Sequence, residues 1–362
     1  MIQINRKSYP VLSHSIYANT ATYGLLGDGI LEWRQNHDLD YLVGGSSMKI
    51  ESLSVISETR QMVGKFFKCS KDLVALVPNF SIGLNMLLEG MDDKEQILLL
   101  ENDYPSVNWP FESRGFQISY AKIDEQLEQN ILEKVRANSI TVLALSLVQW
   151  INGIRVNLDF LKSLKKEFPQ LLIIADGTQF CGAFEFDFEN SGIDVLGASG
   201  YKWLLAGTGN GFMLFKDLAK SRFTLKTTGF NAANADLNRQ KPIAFNKHFE
   251  PGHLDSLSFG SLKCALEILK GIGMKEIMDH NQMLSNKAMS GFNELGLLNK
   301  NVAQRKEHST IFNIKGDDAL FNHLKGENVV CSRRGEGIRL SFHFYNTLKE
   351  IDFILQIVRK MM

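Results

Sequence analysis

The 362-residue chain is short of cysteine, of net charge and of long apolar runs, and each shortage excludes something. Its four cysteines, Cys69, Cys181, Cys264 and Cys331, are widely scattered, with no CxxC pair and no metal-like spacing. Reduced thiols in a cytoplasmic protein, with no metal site, are the expectation. Lys plus Arg number 40 and Asp plus Glu 40, for a formal net charge of zero. That balance removes the electrostatic case for nucleic acid or an anionic membrane surface. No stretch approaches the roughly 18 uncharged apolar residues of a membrane span, and the opening MIQINRKSYP has no signal-peptide core. Internal repeats, low-complexity tracts and charge runs are absent as well.

A hydrophobic content of 44% is enough for a sizeable core, and the length suits one large domain with a smaller appendage. Seven apolar runs read as strands: 73–77, 97–100, 116–120, 141–147, 171–175, 194–198 and 212–215. Helical patterns fall between several of them, at 81–88, 130–137 and 158–168. Such alternation predicts a mostly parallel sheet sandwiched by helices. Before it, residues 48–67 carry apolar side chains at helical spacing. After it come a helix over 261–295, strand patterns at 310–314, 329–332 and 338–344, and a last helix through 351–358. The extreme N-terminus is expected to pack on this tail.

The stretch that carries chemistry is DVLGASGYKWLLAGTGNGFMLF, residues 194–215. Lys202 stands between a strand end and an aromatic-flanked turn, where partial desolvation lowers an amine's pKa and equips it for Schiff-base formation. Upstream, the run LLIIAD ends at Asp176, followed by Gly177, Thr178 and Gln179. An Asp to keep a pyridine nitrogen protonated, a Gln for the ring oxygen and a Lys for the Schiff base are what a pyridoxal 5'-phosphate (PLP) site needs. The glycine run Gly207, Gly209 and Gly211 precedes a strand rather than opening a helix, so a nicotinamide-binding reading is rejected.

The motifs DGTQ, SGYKW and IRLSFHFYNTLKEID resemble, in order and spacing, those of the class V aminotransferases. These are fold-type I PLP enzymes related to the cysteine desulfurases, and the resemblance runs over roughly residues 15–358. It implies the α/β PLP-transferase fold: a seven-stranded large domain over 16–250, and a smaller α+β domain from 1–15 and 251–362. It places the cofactor phosphate at Asn79, Phe80 and Ser81, with Ser81 the N-cap candidate, and makes Ser199 and Tyr201 further phosphate candidates. By position Tyr104 is the ring that stacks on the cofactor, where desulfurases often carry His. Trp150 falls where relatives keep an Asn, leaving Gln149 and Asn152 as substrate-contact candidates that could equally cap a strand. His253 replaces a Thr that in the family reaches the neighbouring subunit's cofactor phosphate. Arg339 matches the arginine that clamps the substrate α-carboxylate, with Arg333 and Arg334 near enough for a second acidic group.

The implied activity is transfer of an amino group from an α-amino acid to a keto acid, in a homodimer with the active site between subunits. Lys202 and Asp176 are the catalytic pair. The same groups would serve a cysteine desulfurase or another PLP lyase or epimerase. Cys331, in an apolar strand pattern, is expected to be buried and inert rather than a sulfur acceptor. A non-catalytic PLP-fold protein and a plain nucleotide-binding α/β protein are the remaining readings.

Overall fold

Strands that are apolar at every position need both faces covered, and the chain supplies helices to do so. In this computed structural model residues 6–238 and 242–361 are described. They open with strand β1 (Ile16–Tyr17) and helices α1 (Asp28–Gly44) and α2 (Met48–Phe67). The central section runs β2 (Val74–Val77), α3 (Phe80–Leu88), β3 (Gln96–Leu100), α4 (Pro105–Glu112), β4 (Gln117–Ala121) and α5 (Leu127–Ala137). It continues with β5 (Val142–Ser146), α6 (Leu158–Glu167), β6 (Leu172–Asp176), β7 (Val195–Ser199) and β8 (Gly211–Phe215). Helices α7 (Ser256–Ile272), α8 (Met274–Glu294) and α9 (Lys300–Ala303) follow. The chain closes with β9 (Ile311–Lys315), α10 (Asp318–Gly326), β10 (Val329–Val330), β11 (Ser332–Arg334), β12 (Gly337–Ser341) and α11 (Leu348–Met361).

The seven-stranded sheet has the order β2-β8-β7-β6-β5-β3-β4. Only β8 runs against its neighbours; every other pairing is parallel. Side chains alternate between two cores, as the pleat requires. Leu76, Leu98, Leu143 and Ile173 face one core, and Val77, Leu99, Val142 and Ile174 the other. The first core continues without a break into Ile311, Ile338 and Leu340 of the three-stranded sheet β11-β12-β9.

The outer edge of β2 is covered by side chains. Arg60 and Asn246 donate to Val74 O at 3.1 Å each, and Glu250 accepts from Leu76 N at 3.0 Å. An edge strand closed in this way offers no free ladder to another chain.

All seven expected strands of the large sheet are present, and α2 spans the expected residues. The tail differs in three places. The single helix expected over 261–295 is two, because Gly273 at φ 101° reverses the backbone between α7 and α8. The strand expected at 329–332 is divided at Cys331: β10 pairs with β1, and β11 pairs with β12. The strand expected through residue 344 stops at Ser341. Helices α1, α4, α9 and α10 escaped the sequence reading; α1 leaves Leu39, Tyr41, Leu42 and Val43 exposed, so its apolar residues mark no buried stripe. The N-terminal segment packs on the tail as expected, with Arg6 Nη2 at 2.7 Å from Glu350 and the Tyr9 ring 5.7 Å from that of Tyr345. Among the described residues no helix is long and apolar enough to cross a membrane.

Candidate active site

The register of the parallel strands assembles the site. Ser146 of β5 lies beside Asp176 of β6, which lies beside Gly197 of β7, so three strands end together. The carboxyl ends of parallel strands are where α/β sheets bind ligands. Beyond them come Gln149 and Trp150, Thr178 and Gln179, and the β7–β8 connection that holds Lys202. Gly207 at φ 72° and Gly209 at φ 85° turn that connection back into the reversed strand β8. Another segment presses on the lysine turn. Gly24 N donates to Tyr201 O at 2.8 Å, and a Cβ at Gly24 would lie 2.0 Å from Lys202 O.

Lys202 is buried, and that burial pulls its pKa down from 10.5 to about 8 against the pull of Asp176. Arg339 and Arg334 add to the depression. Asp176 is equally buried; desolvation raises its carboxyl to about 6, although its Oδ1 accepts the Thr178 amide at 2.8 Å. The amine ends 5.4 Å from the Tyr104 ring centroid and 5.5 Å from that of Tyr201. Gln179 is already engaged. Its Oε1 accepts from Trp203 Nε1 at 2.7 Å and its Nε2 donates to Ala21 O at 3.0 Å, so a bond to a ring oxygen would use the second amide hydrogen.

At the amino end of α3 the cap is Asn79, not Ser81. Asn79 is extended, at φ −167°, and its side chain accepts from Ile82 N at 2.9 Å. Phe80 N donates to Ser199 Oγ at 3.0 Å, and Ser199 N donates to Thr178 Oγ1 at 3.1 Å. Ser199 and Ser81 are thus brought to one helix end, and among the described residues the Ser81 amide and hydroxyl have no acceptor, a disposition suited to a phosphate. Tyr201 instead stands on the wall shared with Arg339.

Opposite lies a pocket of about 430 Å³ lined by Thr22, Tyr104, Trp150, Lys202, Arg334 and Arg339, among others. The Trp150 ring meets Tyr104 edge-on at 5.7 Å. Arg339 is buried on β12; Nη1 donates to Trp150 O and Nη2 to Thr22 Oγ1, each at 2.6 Å. Gln149 is buried near Asp103, with its Nε2 unpaired. Asn152 serves its own turn, accepting from Ile154 N at 3.1 Å, which is the strand-capping alternative. His253 is exposed and lines a separate pocket with Ser52 and Ile56.

Three contributors had no usable signal in the sequence. Thr22 reaches Arg339 from a segment of small residues with no periodicity. Asp103 is buried and bridges two loops, Oδ1 accepting from Tyr104 N at 2.6 Å and Oδ2 from Ser146 N at 2.8 Å. Thr178, inside the DGTQ motif, ties β6 to Ser199 through its hydroxyl.

The donor set tests the cofactor directly. The desolvated Lys202 amine and the unpaired buried donors Trp150 Nε1 and Arg339 Nε belong to residues that line one pocket, with the buried Asp176 carboxylate acting on the amine. These groups fit PLP and an amino acid's carboxylate. The sheet and the site together define a fold-type I PLP enzyme. The chain belongs to the class V aminotransferases: that family's profile matches residues 40–354. An uncharacterized aminotransferase of Bacillus subtilis, YcbU, is 24% identical over 359 residues, covering 96% of this chain and 94% of that protein. A probable cysteine desulfurase of Ureaplasma parvum is also 24% identical, covering 92% of this chain and 89% of the relative. Among solved structures, a lysine-to-alanine mutant of C-DES with glycine covalently linked to its PLP cofactor superposes with a TM-score of 0.88. Its identity to this chain is 17%, with 98% of each chain covered.

Proposed function

We propose that this chain is a PLP-dependent aminotransferase that moves an amino group from an α-amino acid to a keto acid. Bound PLP supplies an electron sink for the carbanion at the substrate Cα. Lys202 would hold the cofactor covalently, Asp176 the proton on its ring nitrogen, and Ser81 and Ser199 its phosphate. Lys202 is the base, because an amine with a pKa of about 8 takes and returns a proton readily near neutrality. Arg339 grips the α-carboxylate, which fixes the Cα proton over the amine. Tyr104 and Trp150 close the pocket and keep water from the reacting carbon. A homodimer would cover the exposed apolar residues Leu39, Tyr41, Leu42, Val43 and Ile50, and bring His253 toward a partner's site.

The observation that favours amino transfer over sulfur transfer is the setting of Cys331. The resemblance puts a desulfurase's acceptor cysteine on a mobile loop well ahead of the carboxylate arginine. Here the nearest cysteine ahead of Arg339 is Cys331, held between β10, paired with β1, and β11, paired with β12, and packed half-buried against the core. The relatives named as probable desulfurases keep that chemistry as the second reading. The test is to mix PLP-loaded protein with a panel of amino acids, follow the cofactor's visible band and identify products by mass spectrometry. Release of the matching keto acid supports the proposal. Alanine and sulfide from cysteine, with no keto acid from any donor, would replace it with the second reading.

A further inference from the structure

Arg339 is not the only guanidinium in the pocket. Arg334 lines it too, and among the described residues the lining holds three cations, Lys202, Arg334 and Arg339, and no carboxylate. The hairpin explains why both arginines face the same way. Arg339 pairs with Ser332, and Arg334 stands two residues further along β11 on the same face, which makes the two diagonal neighbours, about 7–8 Å apart along the backbone and somewhat less between Cβ atoms. Opposite Arg334 stands Gly337, where the Asn313 side chain takes the place a Cβ would fill. The hairpin is pinned: Asn313 Nδ2 donates to Arg334 O at 2.8 Å, and a Cβ at Gly337 would sit 2.0 Å from Asn313 Oδ1.

Like charges at this spacing are unfavourable unless an anion lies between or beside them. Nothing described in the fold provides one. Arg334 has no ion pair among the described residues, and its one side-chain hydrogen bond runs from Nη1 to Arg333 O at 2.9 Å. Arg333, by contrast, is occupied elsewhere, with Nη1 on Gly316 O at 2.6 Å and Nε at 3.4 Å from Asp318. Of the two arginines beside the motif, only Arg334 is free for substrate.

We propose that the pocket is built for an amino acid with two carboxylates: Arg339 takes the α-carboxylate and Arg334 the side-chain carboxylate. The preferred amino donor is then a dicarboxylic α-amino acid, and its product a dicarboxylic keto acid. The word donor rests on the aminotransferase reading; the two-anion site does not. Neutral side chains of the same length would leave Arg334 unpaired in a partly dry pocket, which is a strong basis for discrimination.

The experiment is calorimetric titration of the chain, with and without PLP, by glutarate and by butyrate, for the native protein and for Arg334→Gln and Arg334→Lys. Glutarate is expected to bind tighter than butyrate by on the order of tenfold to a hundredfold, the value of a charge-assisted pair. Arg334→Gln should bring glutarate down to the butyrate level, and Arg334→Lys should restore part of the difference. Equal affinities in the native protein would overturn the proposal. So would an equal loss of both ligands in Arg334→Gln, which would mean that both guanidiniums grip one carboxylate. Failure of PLP to bind would defeat the aminotransferase reading while leaving the glutarate preference to stand or fall by itself.

Discussion

Two buried arginines show what separates structure from site in this molecule. Arg60 meets Glu250, a fully buried carboxylate, with Nη2 at 2.8 Å from Oε2 and a second bond from Nη1. Glu250 also accepts from Leu76 N and from Lys247 at 3.1 Å, and its pKa is lowered despite its burial, chiefly by Arg60. Arg339 meets only neutral oxygens, and burial pulls its pKa down to about 10. The first charge is neutralised inside the fold. The second has no carboxylate partner among the described residues, and a buried cation without one is the pattern expected of an anion-binding site.

Breaking the first pair gives the largest effect on stability. Glu250→Ala would strand Arg60 and unpair the edge of β2, at a cost of about 3–5 kcal/mol in a denaturant titration. Arg339→Ala should leave stability within about 1 kcal/mol of the native protein and lower kcat/KM by on the order of a hundredfold or more. If both variants lost stability equally, the distinction would be void. The linkage of Glu250 has a definite sign. Its folded pKa lies below the unfolded value, so its contribution is full above pH 4.5 and is lost as pH falls through the lower folded value.

The two arginines also differ in how far they could be read from the sequence. Arg339 was legible because it sits inside IRLSFHFYNT, a local string. The fold was legible for a similar reason: runs such as LLIIAD and VLALS are apolar throughout and read as doubly covered strands. Asp176 ends such a run and Lys202 follows one by three residues, so parallel pairing of β6 and β7 brings their neighbourhoods together. What could not be read depends on contacts distant in the chain. Arg334 looks identical to Arg333 until the register of β11 points one of them into the pocket. Asp103 bridges Tyr104 to Ser146, across 43 residues, and nothing local announces it. At α3 the string Asn79, Phe80, Ser81 offers two capping residues, and local chemistry does not choose between them; the extended backbone at Asn79 does. The break at Gly273 is hidden because apolar periodicity runs straight through it.

A pH measurement sharpens the same contrast at Lys202. Its amine is desolvated and only partly compensated by Asp176, so the neutral form dominates above pH about 8. An exposed lysine reaches that point about two pH units higher. Reductive methylation of the chain without cofactor, read by peptide mass spectrometry, should therefore show Lys202 reactivity rising through pH 8 while the exposed lysines lag. In Asp176→Asn the lost attraction should move the Lys202 midpoint lower still. A midpoint near 10 in the native chain would remove the ground for calling Lys202 the base.

The smallest effect is expected at Cys331, and it bears on which chemistry the pocket performs. Cys331 falls between β10, tied to β1, and β11, tied to β12, and it packs half-buried against the core. Burial raises its thiol to about 11, so at pH 7 only about one molecule in 10⁴ carries the thiolate that sulfur transfer requires. Cys331→Ala should leave kcat/KM for amino transfer within about twofold and shift stability by no more than about 1 kcal/mol. Any sulfide released from cysteine should be equally unaffected. A selective loss of sulfide release would make Cys331 the sulfur acceptor and require the strand around it to move, against its bonds on both sides.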